Sequence, residues 1–190
     1  MKKLIGLLTL VTLCTSSICG SAQDDAAAQK AFMDFMTPGD FHKMLAKADG
    51  EWKFDITIWM TPGAPPVKSS GTSVNKMILG GRYQESRESG SFQGMPFEGI
   101  NTLGYDNARK VFVSSWIDNM GTGIIYLEGK WDPENKSINF MGKETDPITG
   151  TERMVKEKVK WIDENNQLME MFTVQDGKDV KTMEIKLTRI

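Results

Sequence analysis

Two carboxylates stand beside aromatic residues in this chain: Glu98 in Phe97-Glu98-Gly99 and Asp118 in Trp116-Ile117-Asp118. Such a pair can do general acid–base work when its surroundings push the two pKa values apart. It can equally serve as ion-pair partners for Arg82 or Arg87. Gly80-Gly81-Arg82-Tyr83 offers a guanidinium able to meet a ligand carboxylate or similar anion, with Tyr83 and Trp116 supplying stacking surface and a hydroxyl. The candidate ligand-binding set is therefore Arg82, Tyr83, Glu98, Trp116 and Asp118. No residue is assigned as catalytic. The leading expectation is binding of a small, partly apolar ligand without transformation. A hydrolase- or isomerase-type enzyme using Glu98 and Asp118 is the alternative, and a protein-interaction module with a filled core is a third.

Other chemistries are excluded by residue type. His42 is the only histidine, so no zinc site needing two or three histidines can form. No Gly-x-Ser-x-Gly elbow presents a serine to it, and a helical segment around His42 suits a capping or packing role. The glycines near Arg82 lack the spacing of a phosphate loop; they read as a tight hairpin turn. Asp132 to Ser137 lacks the spaced acidic ligands of a calcium loop. Neither a metal nor a cofactor is expected. The twelve methionines after Met1 suit a core better than a haem ligand set.

The elements that must position these residues are strands. From Trp52 the apolar residues alternate as Trp52, Phe54, Ile56, Ile58 and Met60, the period of a strand with one buried face. Turn signals then recur at Gly63-Ala64-Pro65-Pro66, Gly80-Gly81, Gly90 to Gly94, Asp106-Asn107 and Asn119-Met120-Gly121. They continue at Asp132 to Asn135, Asp146 to Gly150, Asp163 to Asn166 and Asp176-Gly177-Lys178. Nine turns separate ten strand-length stretches with no long helical pattern between them. This predicts an antiparallel meander, and closure removes its two edges, so an up-and-down barrel of about ten strands is expected. The strand from Tyr83 to Ser89 has almost no aliphatic residues, which implies a solvated edge or a polar barrel interior. On the strand from Val111 both faces are partly apolar, so the inward face stays open.

The last strand carries Met183, Ile185, Leu187 and Arg189 on one face. An arginine ending an inward row needs a partner, and Trp52 begins the inward row of the first strand. Stacking of Arg189 on Trp52 is the expected closure. Ahead of the barrel, residues 23–49 read as helical: Phe32, Phe35 and Met36 share a face, Thr37-Pro38-Gly39 interrupts, and Asp40 opens a second turn. That segment is expected to cap one barrel end.

Lys2-Lys3, the apolar run Leu4 to Leu13 and the exit Gly20-Ser21-Ala22 have the form of a secretory signal peptide over residues 1–22. The three expected parts are thus 1–22, 23–49 and a barrel domain over 50–190. The expected location is exported, periplasmic or secreted; Leu13 and Ile18 ahead of the two cysteines fit a lipid-anchoring motif poorly. Both cysteines, Cys14 and Cys19, lie in this leader, so the remainder has neither disulfide nor thiolate chemistry. Without Lys2 and Lys3 the balance is 21 basic against 25 acidic residues, a net charge of about −4. That argues against nucleic acid and anionic membranes as partners. No later segment is apolar enough to span a bilayer as a helix, and the oligomeric state is left open.

Gly50-x-Trp52 with Arg189 resembles the structural signature of the calycin group, the lipocalins and their relatives, which implies a fold and no activity. A wider resemblance rests on Met36-Thr37-Pro38-Gly39 with His42, Gly50-Glu51-Trp52, Gly80-Gly81-Arg82-Tyr83, Pro96-Phe97-Glu98-Gly99 and Leu103-Gly104-Tyr105-Asp106-Asn107. Trp116-Ile117-Asp118 with Gly121-Thr122-Gly123, and Asp146-Pro147-x-Thr149-Gly150, extend it. In order and wording these are similar to DUF1579, an uncharacterised bacterial family. The resemblance implies a bacterial, barrel-type domain.

Overall fold

The alternation and turn chemistry produce ten strands: β1 (Gly50–Ile58), β2 (Val67–Ile78), β3 (Tyr83–Phe92), β4 (Met95–Asp106), β5 (Val111–Asp118), β6 (Ile125–Asp132), β7 (Ser137–Thr145), β8 (Glu152–Trp161), β9 (Asn166–Gln175) and β10 (Lys178–Arg189). Two helices precede them, α1 (Gly20–Met36) and α2 (Asp40–Ala46). This computed structural model describes residues 20–60 and 63–190. The expected signal peptide lies outside the described residues except for 20–22, which open α1, and Cys14 and Cys19 lie outside them too. Among the described residues, 20–34 and 35–190 are separate compact units.

Each strand pairs antiparallel with its sequence neighbours, and β1 pairs with β10, so the sheet closes into a barrel. Aspartates set several turns. Asp106 accepts hydrogen bonds from the N–H groups of Ala108 and Arg109, Asp132 from Glu134 and Asn135, and Asp146 from Ile148 and Thr149. A short side chain reaching two and three residues onward is why aspartate opens such turns. One expected turn is shorter than its glycines suggest. The stretch Gly90 to Gly94 is strand as far as Phe92, and only Gln93 and Gly94 turn. Gly90 lies opposite Gly71 on β2, where the Phe54 ring crosses the sheet.

Closure takes the expected form and adds a purpose. Trp52 lies opposite Arg189 in the β1/β10 register, and the guanidinium carbon sits 4.3 Å from the Trp52 ring centroid. The guanidinium donates to the carbonyls of Lys47 (2.6 Å), Asp49 (2.7 Å) and Glu164 (3.2 Å). The first two follow the end of α2, where backbone carbonyls have no helical partner. Trp52 Nε1 and Asn75 Nδ2 both donate to the Ala48 carbonyl, and Gln84 Nε2 donates to that of Leu45. The tryptophan–arginine pair thus joins the terminal strands and fastens α2 across the barrel end. Gly50 is required beside it: its φ is +124°, and a Cβ there would come 3.0 Å from an Arg189 nitrogen.

His42 begins α2 from inside. Its Nδ1 accepts the Gly39 N–H at 3.0 Å, and burial lowers its pKa, so the ring is a neutral cap. Leu45 projects from α2 into a core with Phe112, Leu127, Ile138, Phe140 and Val155. The core therefore fills the α2 end of the barrel. Phe32, Phe35 and Met36 of α1 are exposed, and the barrel end is closed by α2.

Candidate functional site

Beyond the Leu127 layer the barrel is hollow. A cavity of about 330 Å³ lies between that layer and the turns at the far end. Its wall is mostly apolar: Phe54, Ile56 and Ile58 of β1, Ile185 of β10, Phe92 and Phe97 of the β3/β4 hairpin, and Met169, Met171 and Met183 of β9 and β10. Each arrives there because the strand period of two places alternate residues inward. The thioethers give this wall a surface that can adapt to an occupant's shape.

Trp116 is fixed in the wall by a ring stack and a hydrogen bond. Its indole stacks near Phe97, with centroids 6.2 Å apart and planes 22° apart, and Nε1 donates to Asp118 Oδ2 at 2.7 Å. Asp118 Oδ1 accepts the Met120 N–H at 2.8 Å. The indole lies across Gly99 of β4, where an added Cβ would stand 2.3 Å from the ring. Gly99→Ala should therefore push Trp116 out of place, with a destabilisation of roughly 1–3 kcal/mol for an overpacked interior site. A changed near-ultraviolet dichroism of the folded variant is the check; an unchanged tryptophan signal would contradict this role for Gly99.

Four carboxyls line the cavity: Glu88, Asp118, Glu144 and Glu157. Asp118 is engaged as described, and Glu144 takes Arg153 at 2.7 Å. Glu157 is 9% exposed and Glu88 half-buried, and neither has a hydrogen-bond or ion-pair partner among the described residues. Burial pushes both carboxyls up to about 7, Glu157 also feeling the charge of Glu88. Removing a charge from water without a partner favours the neutral acid. Asn101 and Ser114 add a hydrogen-bonded polar pair at 3.2 Å.

The residues expected from sequence divide between places. Trp116 and Asp118 line the cavity. Glu98 is exposed and alternates with the inward Phe97 and Gly99, so Glu98 and Asp118 do not converge on the cavity. Arg82 and Tyr83 border a second depression, about 400 Å³, which includes His42 and Tyr126. Arg82 donates to the carbonyls of Met36 (2.7 Å) and Leu79 (3.1 Å), so its guanidinium is engaged with backbone. Trp52 and Arg189 meet as expected. The residues that sequence reasoning missed are Glu88 and Glu157. The polar strand β3 has no free edge in a closed barrel, so its polar row Gln84, Ser86 and Glu88 faces inward. Glu157 carried a signal of its own, a carboxylate in register with Val155, Val159 and Trp161.

The family profile described as "Protein of unknown function (DUF1579)" matches residues 37–189. Among solved structures, the crystal structure of Rv2717c from M. tuberculosis is similar at a TM-score of 0.59 and 13% identity, covering 81% of this chain and 99% of that chain. At that identity the likeness shows the fold alone. No curated protein matches the chain.

Proposed function

We propose, from the premise that this chain belongs to the DUF1579 family, that it is an exported barrel which holds one small, largely apolar molecule without transforming it. The observation that carries this reading is the cavity of about 330 Å³, walled by aliphatic, aromatic and methionine side chains and held open beside a packed core. Its size falls at the lower end of the roughly 300–1,000 Å³ typical of ligand pockets. A packed barrel would gain stability by filling that space, since unfilled apolar volume weakens a core. Trp116 and Asp118 remain in the proposed binding set. Arg82, Tyr83 and Glu98 leave it, and with Arg82 goes the argument for an anionic ligand. Export rests on the composition of residues 1–22, and protein recovered from the source cell should begin at Gln23.

The test uses Trp116 as its own reporter. Titration with short-chain alcohols, amines, fatty acids and aromatic metabolites should change tryptophan emission for one class and raise Tm with ligand concentration, as binding to the folded state requires. Trp116→Phe should abolish most of the emission change and reduce, without removing, the Tm shift. Neither response to any class would end the reading.

A further inference from the structure

The cavity's polar character is one-sided. Its wall contains carboxyls and no lysine, arginine or histidine. Two of the four carboxyls already have work: Asp118 orients Trp116 and Glu144 pairs with Arg153. The other two face the hollow without a partner. Glu157 is more than nine-tenths buried, and its cross-strand neighbours are Phe140 and Met171, which can offer it nothing. Glu88 lies opposite Ser73 and Gly99, which bring no charge. No three carboxylate, histidine or cysteine ligands converge among the described residues, which favours an organic over a metal cation. Resting on the reading of the barrel as a small-molecule binder, we propose that its occupant is an organic ammonium: an apolar body against the methionine and aromatic wall, and a protonated amine met by Glu88 and Glu157.

The chemistry is complementary on both sides. A primary ammonium has three N–H donors and no acceptor, which suits two acceptor carboxylates. Hydrogen bonds between ionised partners are stronger than neutral ones, and they strengthen further away from water. Phe97 and Trp116 add faces that attract a cation. The partner also restores what burial denies these glutamates, since both stand near pKa 7 when alone. At pH values up to about 7, occupancy should therefore ionise them and release protons. A carboxylate ligand would meet like charge and be rejected.

The experiment compares n-alkylamines, n-alkanols and n-alkanoates of six, eight and ten carbons, titrated calorimetrically into the full chain at about pH 8, above both carboxyl pKa values. At the best chain length the amine should bind at least about tenfold more tightly than the alcohol, with the alkanoate weakest. Glu157→Gln should lower amine affinity at least about tenfold, and a Tm at about pH 8 no lower than that of the parent protein shows that the variant is folded. Equal affinity for amine and alcohol, or preference for the alkanoate, would overturn the ammonium proposal and leave the carrier reading standing. Failure of all three series to bind would overturn the carrier reading itself.

Discussion

Arg189→Ala is expected to destabilise the protein by about 2–4 kcal/mol, a fall in Tm of roughly 5–15 °C. The side chain donates to three backbone carbonyls and covers the Trp52 ring. Two of those carbonyls follow the end of α2, and the Asp49 carbonyl, at a partly buried site, would be left as an unmet acceptor. Leu45, wholly buried in the core, is carried by the same helix, so loosening α2 also loosens the packed end of the barrel. Arg189→Lys should recover only a fraction, because one ammonium cannot reach three diverging carbonyls and stack at once. Urea denaturation of the two variants and the parent protein measures this. A loss below about 0.5 kcal/mol for the alanine variant, the range of ordinary surface substitutions, would show that closure does not depend on the arginine.

Glu157→Gln is expected to act in the opposite direction at alkaline pH. Both cavity glutamates have folded-state pKa values raised to about 7, chiefly by burial. The folded protein therefore holds these protons more tightly than the unfolded chain. Their contribution is fully present below the ordinary glutamate pKa of about 4.5 and is lost as pH rises through about 7. Replacing Glu157 with an uncharged isostere removes a buried charge above that window, stabilising the ligand-free protein at about pH 8 by an amount on the order of 2 kcal/mol. Near pH 5 the substitution should be almost neutral.

Other groups titrate with the opposite sign. His42, whose pKa burial lowers, gives up stability as pH falls through its own range. Asp132, Asp146 and Asp163, held low by turn hydrogen bonds, do so at more acid pH. The difference between parent and Glu157→Gln, taken at about pH 5 and about pH 8, removes these common contributions. Parallel stability curves across that interval would refute the placement of an ionisable carboxyl in the hollow. The substitution also separates stability from binding, since it should strengthen the empty barrel while weakening its hold on an amine.

Much of this barrel was legible in the chain. Alternation from Trp52 to Met60, and turn residues recurring between strand-length stretches, dictate a meander because they depend only on neighbours in sequence. Trp52 and Arg189 were legible as a pair because each begins or ends an apolar row and a buried guanidinium needs a partner. Which side of β3 and β5 faces inward was not legible, since both strands carry mixed residues on both faces. Closure decided it, by fixing each strand's register against two neighbours. That turned Glu88 and Trp116 to the interior and left Glu98 and Tyr83 exposed. Arg82 illustrates the same limit: its type fits an anion site, and only the position of the Met36 carbonyl made it a backbone clamp. A residue's type and spacing travel with the sequence, whereas the dielectric around a carboxyl depends on residues distant along the chain. The meeting of Glu88 from β3 and Glu157 from β8 in one apolar hollow was therefore settled by tertiary structure alone.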